Sequence, residues 1–238
     1  MTSDGPPLIA MSGIRKHFGE PRPLVIRELT IRASDRVALP DLNAGASEIL
    51  INLITGASLP DEGTVRVAGH DTREISTDTD WLRSLDRFGV VTARAVLIGA
   101  IPVAANLALP LTLSIDPMSA ETRAAVEALA ERVGLPPDRL EAKASTLTPG
   151  EQVRVHLARA LAPQPQLVLL EHPTAAIRDE GEQRALGEAL RRAAESTGTG
   201  WVALTGDRIF GRAAGATWLR VGPNGDVGRE SFWSRLLR

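Results

Sequence analysis

Thiol and imidazole side chains, the usual carriers of covalent and transition-metal chemistry, are scarce in this 238-residue chain. The absence of cysteine removes thiolate catalysis, disulfides and thiolate-held zinc or iron–sulfur centres. Its four histidines, His17, His70, His156 and His172, stand at no metal-ligand spacing. No Ser-His-Asp order, no paired general-acid and general-base carboxylates and no G-x-G-x-x-G loop supports an unrelated α/β enzyme. Of the 27 basic residues only Lys16 and Lys143 are lysines. Against 29 acidic residues they leave a net charge of −2, which gives no support for nucleic-acid binding through bulk charge.

An apolar fraction of 43% and a charged fraction of 24% describe a soluble globular protein and exclude wholesale disorder. The length suits one large α/β domain or two small ones. Met1–Ala10 has no signal-peptide architecture, so the expected compartment is the cytoplasm. Ala95–Ile115 carries no charge and is long enough to span a bilayer. Gly99, Pro102, Asn106 and Pro110 interrupt it, and each internal proline would cost a helix roughly 3 kcal/mol. The expectation is an apolar, irregular stretch, buried or facing a partner.

Strands are predicted at Leu24–Arg32, Arg36–Leu39, Thr64–Ala68, Phe88–Val91, Gln166–Leu170 and Trp201–Thr205, with a terminal hairpin of Thr217–Val221 and Val227. Helices are predicted at Ser47–Thr55, from Ser119 through Val133, at Glu151–Leu161 and at Arg178–Ser196. Strands alternating with helices imply a mostly parallel sheet.

The order of these segments resembles the ATP-binding cassette, the nucleotide-binding domain of ABC transporters. Leu147-Thr148-Pro149-Gly150-Glu151-Gln152-Val153-Arg154, running on to Leu161, is similar to the family's signature motif and helix. Leu167–Leu170 leading into Glu171-His172-Pro173-Thr174-Ala175-Ala176 is similar to its Walker B strand and continuation. Asn52–Gly56, the turn Pro60–Gly63 with Gly69, and Asn106–Leu111 match in order, so the likeness covers nearly the whole chain. It implies a P-loop NTPase-like ABC ATPase fold over 1–238, with a mostly parallel core sheet, an N-terminal antiparallel β-subdomain and a helical subdomain over about 93–163. It also implies ATP and Mg²⁺ as cofactors and a second ABC ATPase subunit and permease subunits as partners. The chain would lie peripherally on the inner face of the cell membrane, meeting the membrane only through those partners.

The resemblance also exposes departures. A P-loop turns backbone N–H groups onto phosphate at a helix N-terminus, with a lysine on the β/γ-phosphates and a hydroxyl on Mg²⁺. Here that loop is Asp41-Leu42-Asn43-Ala44-Gly45-Ala46-Ser47-Glu48. Ser47 stands at the lysine position and Glu48 at the hydroxyl position. A unit charge at 4 Å is worth about 4 kcal/mol at an effective dielectric near 20. Losing the lysine and adding Glu48 therefore lowers conventional ATP affinity by orders of magnitude. Glu171 keeps the Walker B charge and, with Glu48, is the candidate Mg²⁺ ligand. His172 replaces the carboxylate that polarises the attacking water; a neutral imidazole is able to accept a proton. Ala93 replaces the Q-loop glutamine, Gly206 the switch histidine, and Arg178 the D-loop aspartate. Candidate nucleotide contacts that remain are Phe18, as the adenine-stacking aromatic, with Asn43, Gly45, Ser47 and Glu48 in the loop. Thr148, Gly150 and Gln152 belong to the half-site that the family offers in trans to its partner's ATP.

Three functions follow. The first is a degenerate cassette paired with a competent ATPase, whose site this chain's signature completes. The second is a scaffold or regulatory protein that has lost nucleotide. The third is an ATPase with an unconventional site of Glu48, Glu171 and His172.

Overall fold

The computed structural model describes residues 6–92 and 94–230. Ala93, the Q-loop position, lies outside them. The fold is organised by its most apolar strand, β7 (Leu167–Glu171), in which every residue is buried. β6 (Phe88–Val91) and β8 (Gly200–Leu204) flank it in parallel, and β3 (Arg36–Leu39) lies parallel to β8. β9 (Thr217–Val221) runs parallel to β3, and β10 (Val227–Arg229) pairs with β9 antiparallel. The resulting order is β10-β9-β3-β8-β7-β6.

Central strands of such a sheet are apolar throughout because both faces are covered. β7 shows this directly. Leu167 and Leu169 point into one core, Val168 and Leu170 into the other, as the two-residue strand period requires. The first core is closed by α1 (Ala44–Ile54) and an antiparallel sheet of β1 (Ile9–Lys16), β2 (Leu24–Ile31), β4 (Glu62–Val67) and β5 (His70–Asp71) in the order β2-β1-β4-β5. The second core is closed by α3 (Val103–Ala108), α4 (Ala120–Arg132), α5 (Pro149–Leu161) and α6 (Glu180–Thr197). Its centre holds Trp201 of β8 and Phe210 of α7 (Arg208–Ala214), both fully buried, with ring centroids 6.4 Å apart. A peripheral helix, α2 (Asp78–Leu85), has no buried residue and is capped by Thr77.

Two helices begin earlier than the sequence pattern predicts, for the same reason. Asn43 caps α1 by accepting the Ala46 N–H at 2.8 Å, so the helix starts at Ala44 instead of Ser47. Thr148 caps α5, and Pro149 fills its first position, so that helix starts at Pro149 instead of Glu151. The 95–115 stretch is irregular, as expected, on either side of one short helix. Its middle forms α3, buried at every residue, while Val96, Ile98, Leu111 and Leu113 are exposed. Among the described residues, no helix is long and apolar enough to cross a membrane.

The two sheets meet at the end of the β9–β10 hairpin. The Arg27 N–H of β2 donates to the Gly225 carbonyl at 2.8 Å, and the Arg27 guanidinium pairs with Asp226 at 3.0 Å. Gly225 has φ +82°, and a Cβ there would lie 2.7 Å from the Val25 side chain.

Candidate nucleotide site

Parallel strands deliver their C-terminal ends to one edge of a sheet, where α/β proteins bind ligands. At this edge β3 runs into Pro40–Asn43, β6 into Thr92 and Arg94, β7 into Glu171 and His172, and β8 into Thr205 and Gly206.

The loop before α1 is occupied by its own side chains. Asp41 is held by the Arg220 guanidinium at 2.7 and 3.3 Å. Asn43 Oδ1 takes the Ala46 N–H, one of the helix-end donors that a phosphate would otherwise use. Ser47, at the lysine position, is fully buried, and its hydroxyl faces the Leu42 carbonyl at 3.5 Å. The Phe18 ring lies against Gly45, where a Cβ would come within 3.1 Å of it. Phe18 and Asn43 also line a cleft of about 440 Å³ with Pro21, Leu24, Ala46 and Pro223.

Glu48 and Glu171 are brought together, but around a residue that the motif reading passed over. The Arg94 guanidinium bonds Glu48 and stands 3.7 Å from Glu171 Oε2. The hydrogen bond from Arg94 to Glu48 first, and the nearby Glu171 charge after it, raise the Arg94 pKa above its ordinary value. Glu171 is nearly buried, and its Oε2 has no hydrogen-bond partner among the described residues. His172 has a left-handed backbone (φ 44°), donates its N–H to the Leu204 carbonyl at 3.0 Å and leaves Nε2 buried with no hydrogen-bond partner among the described residues. Gly206 is exposed, and Thr205 Oγ1 accepts the Asp207 N–H. Arg178 is exposed, while Asp179 caps α6. No group of three or more His, Cys, Asp or Glu able to hold a metal ion exists among the described residues. In sequence Arg94 is marked only as the charge immediately before the uncharged stretch that begins at Ala95, which does not point to its partners.

Elsewhere, the α5 N-terminus is complete. Thr148 Oγ1 accepts the Glu151 N–H at 3.2 Å, and Glu151 Oε2 accepts the Thr148 N–H at 2.9 Å, a reciprocal capping box. Arg139 pairs with Glu151 at 2.8 Å. Gln152 Nε2 donates to the Leu147 carbonyl at 3.1 Å, and Gly150 is buried against the Glu182 carboxylate of α6.

A model of the ABC transporter family matches residues 29–175, well over half of the chain. The chain belongs to the ABC transporter family. It is 35% identical over 185 residues to the macrolide export ATP-binding/permease protein MacB 1 of Aeromonas hydrophila, covering 76% of this chain and 28% of that protein. It is 31% identical to the lipoprotein-releasing system ATP-binding protein LolD of Pseudomonas syringae, covering 78% and 80%. Among solved structures, a dimeric ATP-binding cassette in a post-hydrolysis state bound to ADP and Pi superposes with a TM-score of 0.73, at 22% identity, over 94% of this chain and 97% of the other. That likeness establishes the α/β ABC ATPase fold.

Proposed function

We propose that this cassette is the ATP-binding subunit of a membrane transport complex and that it does not hydrolyse ATP in its own half-site. It pairs with a competent ATPase subunit and completes that subunit's site with its signature helix, giving one working site per heterodimer. The observation that carries this reading is Ser47. At the lysine position a short, fully buried hydroxyl faces a backbone carbonyl, so no cation from that position reaches a triphosphate. Mg²⁺-ATP is a poor fit to this half-site, because Asn43 occupies a phosphate-directed donor and Arg94 lies between the candidate metal ligands. The α5 N-terminus supports the trans role, since its shape is held by its own first turn.

The 238 residues act as one cassette, with about 93–163 as its helical subdomain. Relatives named as export and release-system ATP-binding proteins support a role in transport; in this reading the cassette lies on the cytoplasmic face of the membrane, attached through permease subunits. The permease meets the cassette at a cleft of about 500 Å³ lined by Thr92, Ala95, Pro110, His156 and Arg159. Val96 and Ile98 are exposed on the segment that leaves this cleft.

Phosphate release by the purified chain tests the reading. Expected is no turnover above background alone, and turnover once a competent ATPase subunit is bound. Turnover by the chain alone that Glu171→Gln abolishes overturns it. Failure of any ATPase subunit to co-purify, together with no heat of Mg-ATP binding in calorimetry, favours a nucleotide-independent scaffold instead.

A further inference from the structure

Glu48 and Glu171 come from α1 and β7, far apart in sequence, and converge on one point. Two carboxylates so placed repel each other and form a divalent-cation position unless a positive charge stands between them. Glu171 needs that charge most. Its side chain is 9% exposed, and its Oε2 has no hydrogen-bond partner among the described residues. The structure sets the Arg94 guanidinium beside it, with Glu48 anchoring the other end of the fork. A guanidinium cannot give up its proton to make room for a metal, so a divalent ion would have to displace the whole side chain.

We infer that Arg94 is the resident cation of this pocket: its guanidinium takes the place between Glu48 and Glu171 that a divalent metal would take, and turns the metal away. This inference does not rest on the pairing proposed above and holds equally for a chain that works alone.

The same arrangement fixes the segment of residues 94–98, ahead of α3. Arg94 ties it to α1 and β7. Arg159 of α5 donates to the Val96 carbonyl at 3.2 Å. Asn106 of α3 accepts the Ile98 N–H at 2.9 Å and donates to the Ile98 carbonyl at 3.1 Å. The segment is thus held at three points by bonds that the chain makes itself.

Titration of the purified full-length chain with Mn²⁺, followed by electron paramagnetic resonance, tests the inference. The wild-type chain is expected to take up no ion at this position up to about 1 mM. Arg94→Gln removes the charge at a side chain more than half exposed, so the core is untouched. This variant is expected to bind one Mn²⁺ at least about tenfold more tightly than wild type, and Arg94→Gln/Glu171→Gln to lose that ion. A wild-type Mn²⁺ site that Glu171→Gln removes overturns the inference, and this arm needs no Arg94 variant. An Arg94→Gln chain, folded by circular dichroism, that gains no ion also overturns it, as does a gain that persists in the double variant. Failure of any ATPase subunit to co-purify, which would defeat the proposed pairing, changes none of these readouts.

Discussion

The N-termini of α1 and α5 are both capped, yet they rest on different supports. The first turn of α5 is satisfied locally by Thr148, Glu151 and Pro149, with Arg139 on Glu151. The first turn of α1 has a single cap from Asn43, no acidic residue of its own and a buried Ser47. Further along, its Glu48 is balanced by a residue 46 positions away. What holds α1 is its apolar face of Leu50, Leu53 and Ile54, each at most 1% exposed. A helix end whose donors are met within one turn keeps its form without a ligand. A helix end carrying an extra carboxylate depends on charge brought from elsewhere in the fold.

The largest effect that sharpens this contrast is Leu50→Ala, expected to cost about 2–5 kcal/mol in urea unfolding. Asn43→Ala is expected to cost about 1 kcal/mol by the same measurement. Equal costs would show that α1 hangs on its cap after all. Thr148→Ala, also about 1 kcal/mol, separates the two ends by function. In the heterodimer proposed above it should lower the partner's ATP turnover, whereas Asn43→Ala should leave that turnover unchanged. A matching loss in both variants breaks the contrast.

The smallest effect is one of pH. On α5, burial first and the neighbouring Arg159 second lower the His156 pKa below its usual 6.5. Between that lowered value and about 6.5 the unfolded chain binds a proton that the folded chain resists. Stability should therefore fall as pH drops below about 6.5, and His156→Gln should flatten the slope across this window.

Much of the fold was legible because its signals are local. β3, β6 and the β9 strand are read at their observed bounds, and Ser119 and Val133 flank α4 as the cap and periodicity predict. The elements left unread carry weaker or shorter signals. α3 is buried at every residue and so shows no amphipathic period, while α2, though capped by Thr77, spans only eight residues and buries none of them fully. In β1 the alternation breaks at Gly13, where the pairing with β4 shifts between Ser12 and Arg15. α7 carried legible marks, the Asp207 cap and Gly215 at its end, but spans only seven residues. At the site, loop and strand ends were legible by motif. Arg94 was not, because its partners lie 46 and 77 positions away and only the folded sheet edge gathers them.

The seam at Gly225 has a consequence for how the chain is made. β2 lies at one margin of its sheet, and its Arg27 amide is covered by a turn nearly two hundred positions later. During synthesis, therefore, that margin of the antiparallel sheet stays bare until the β9–β10 hairpin has left the ribosome.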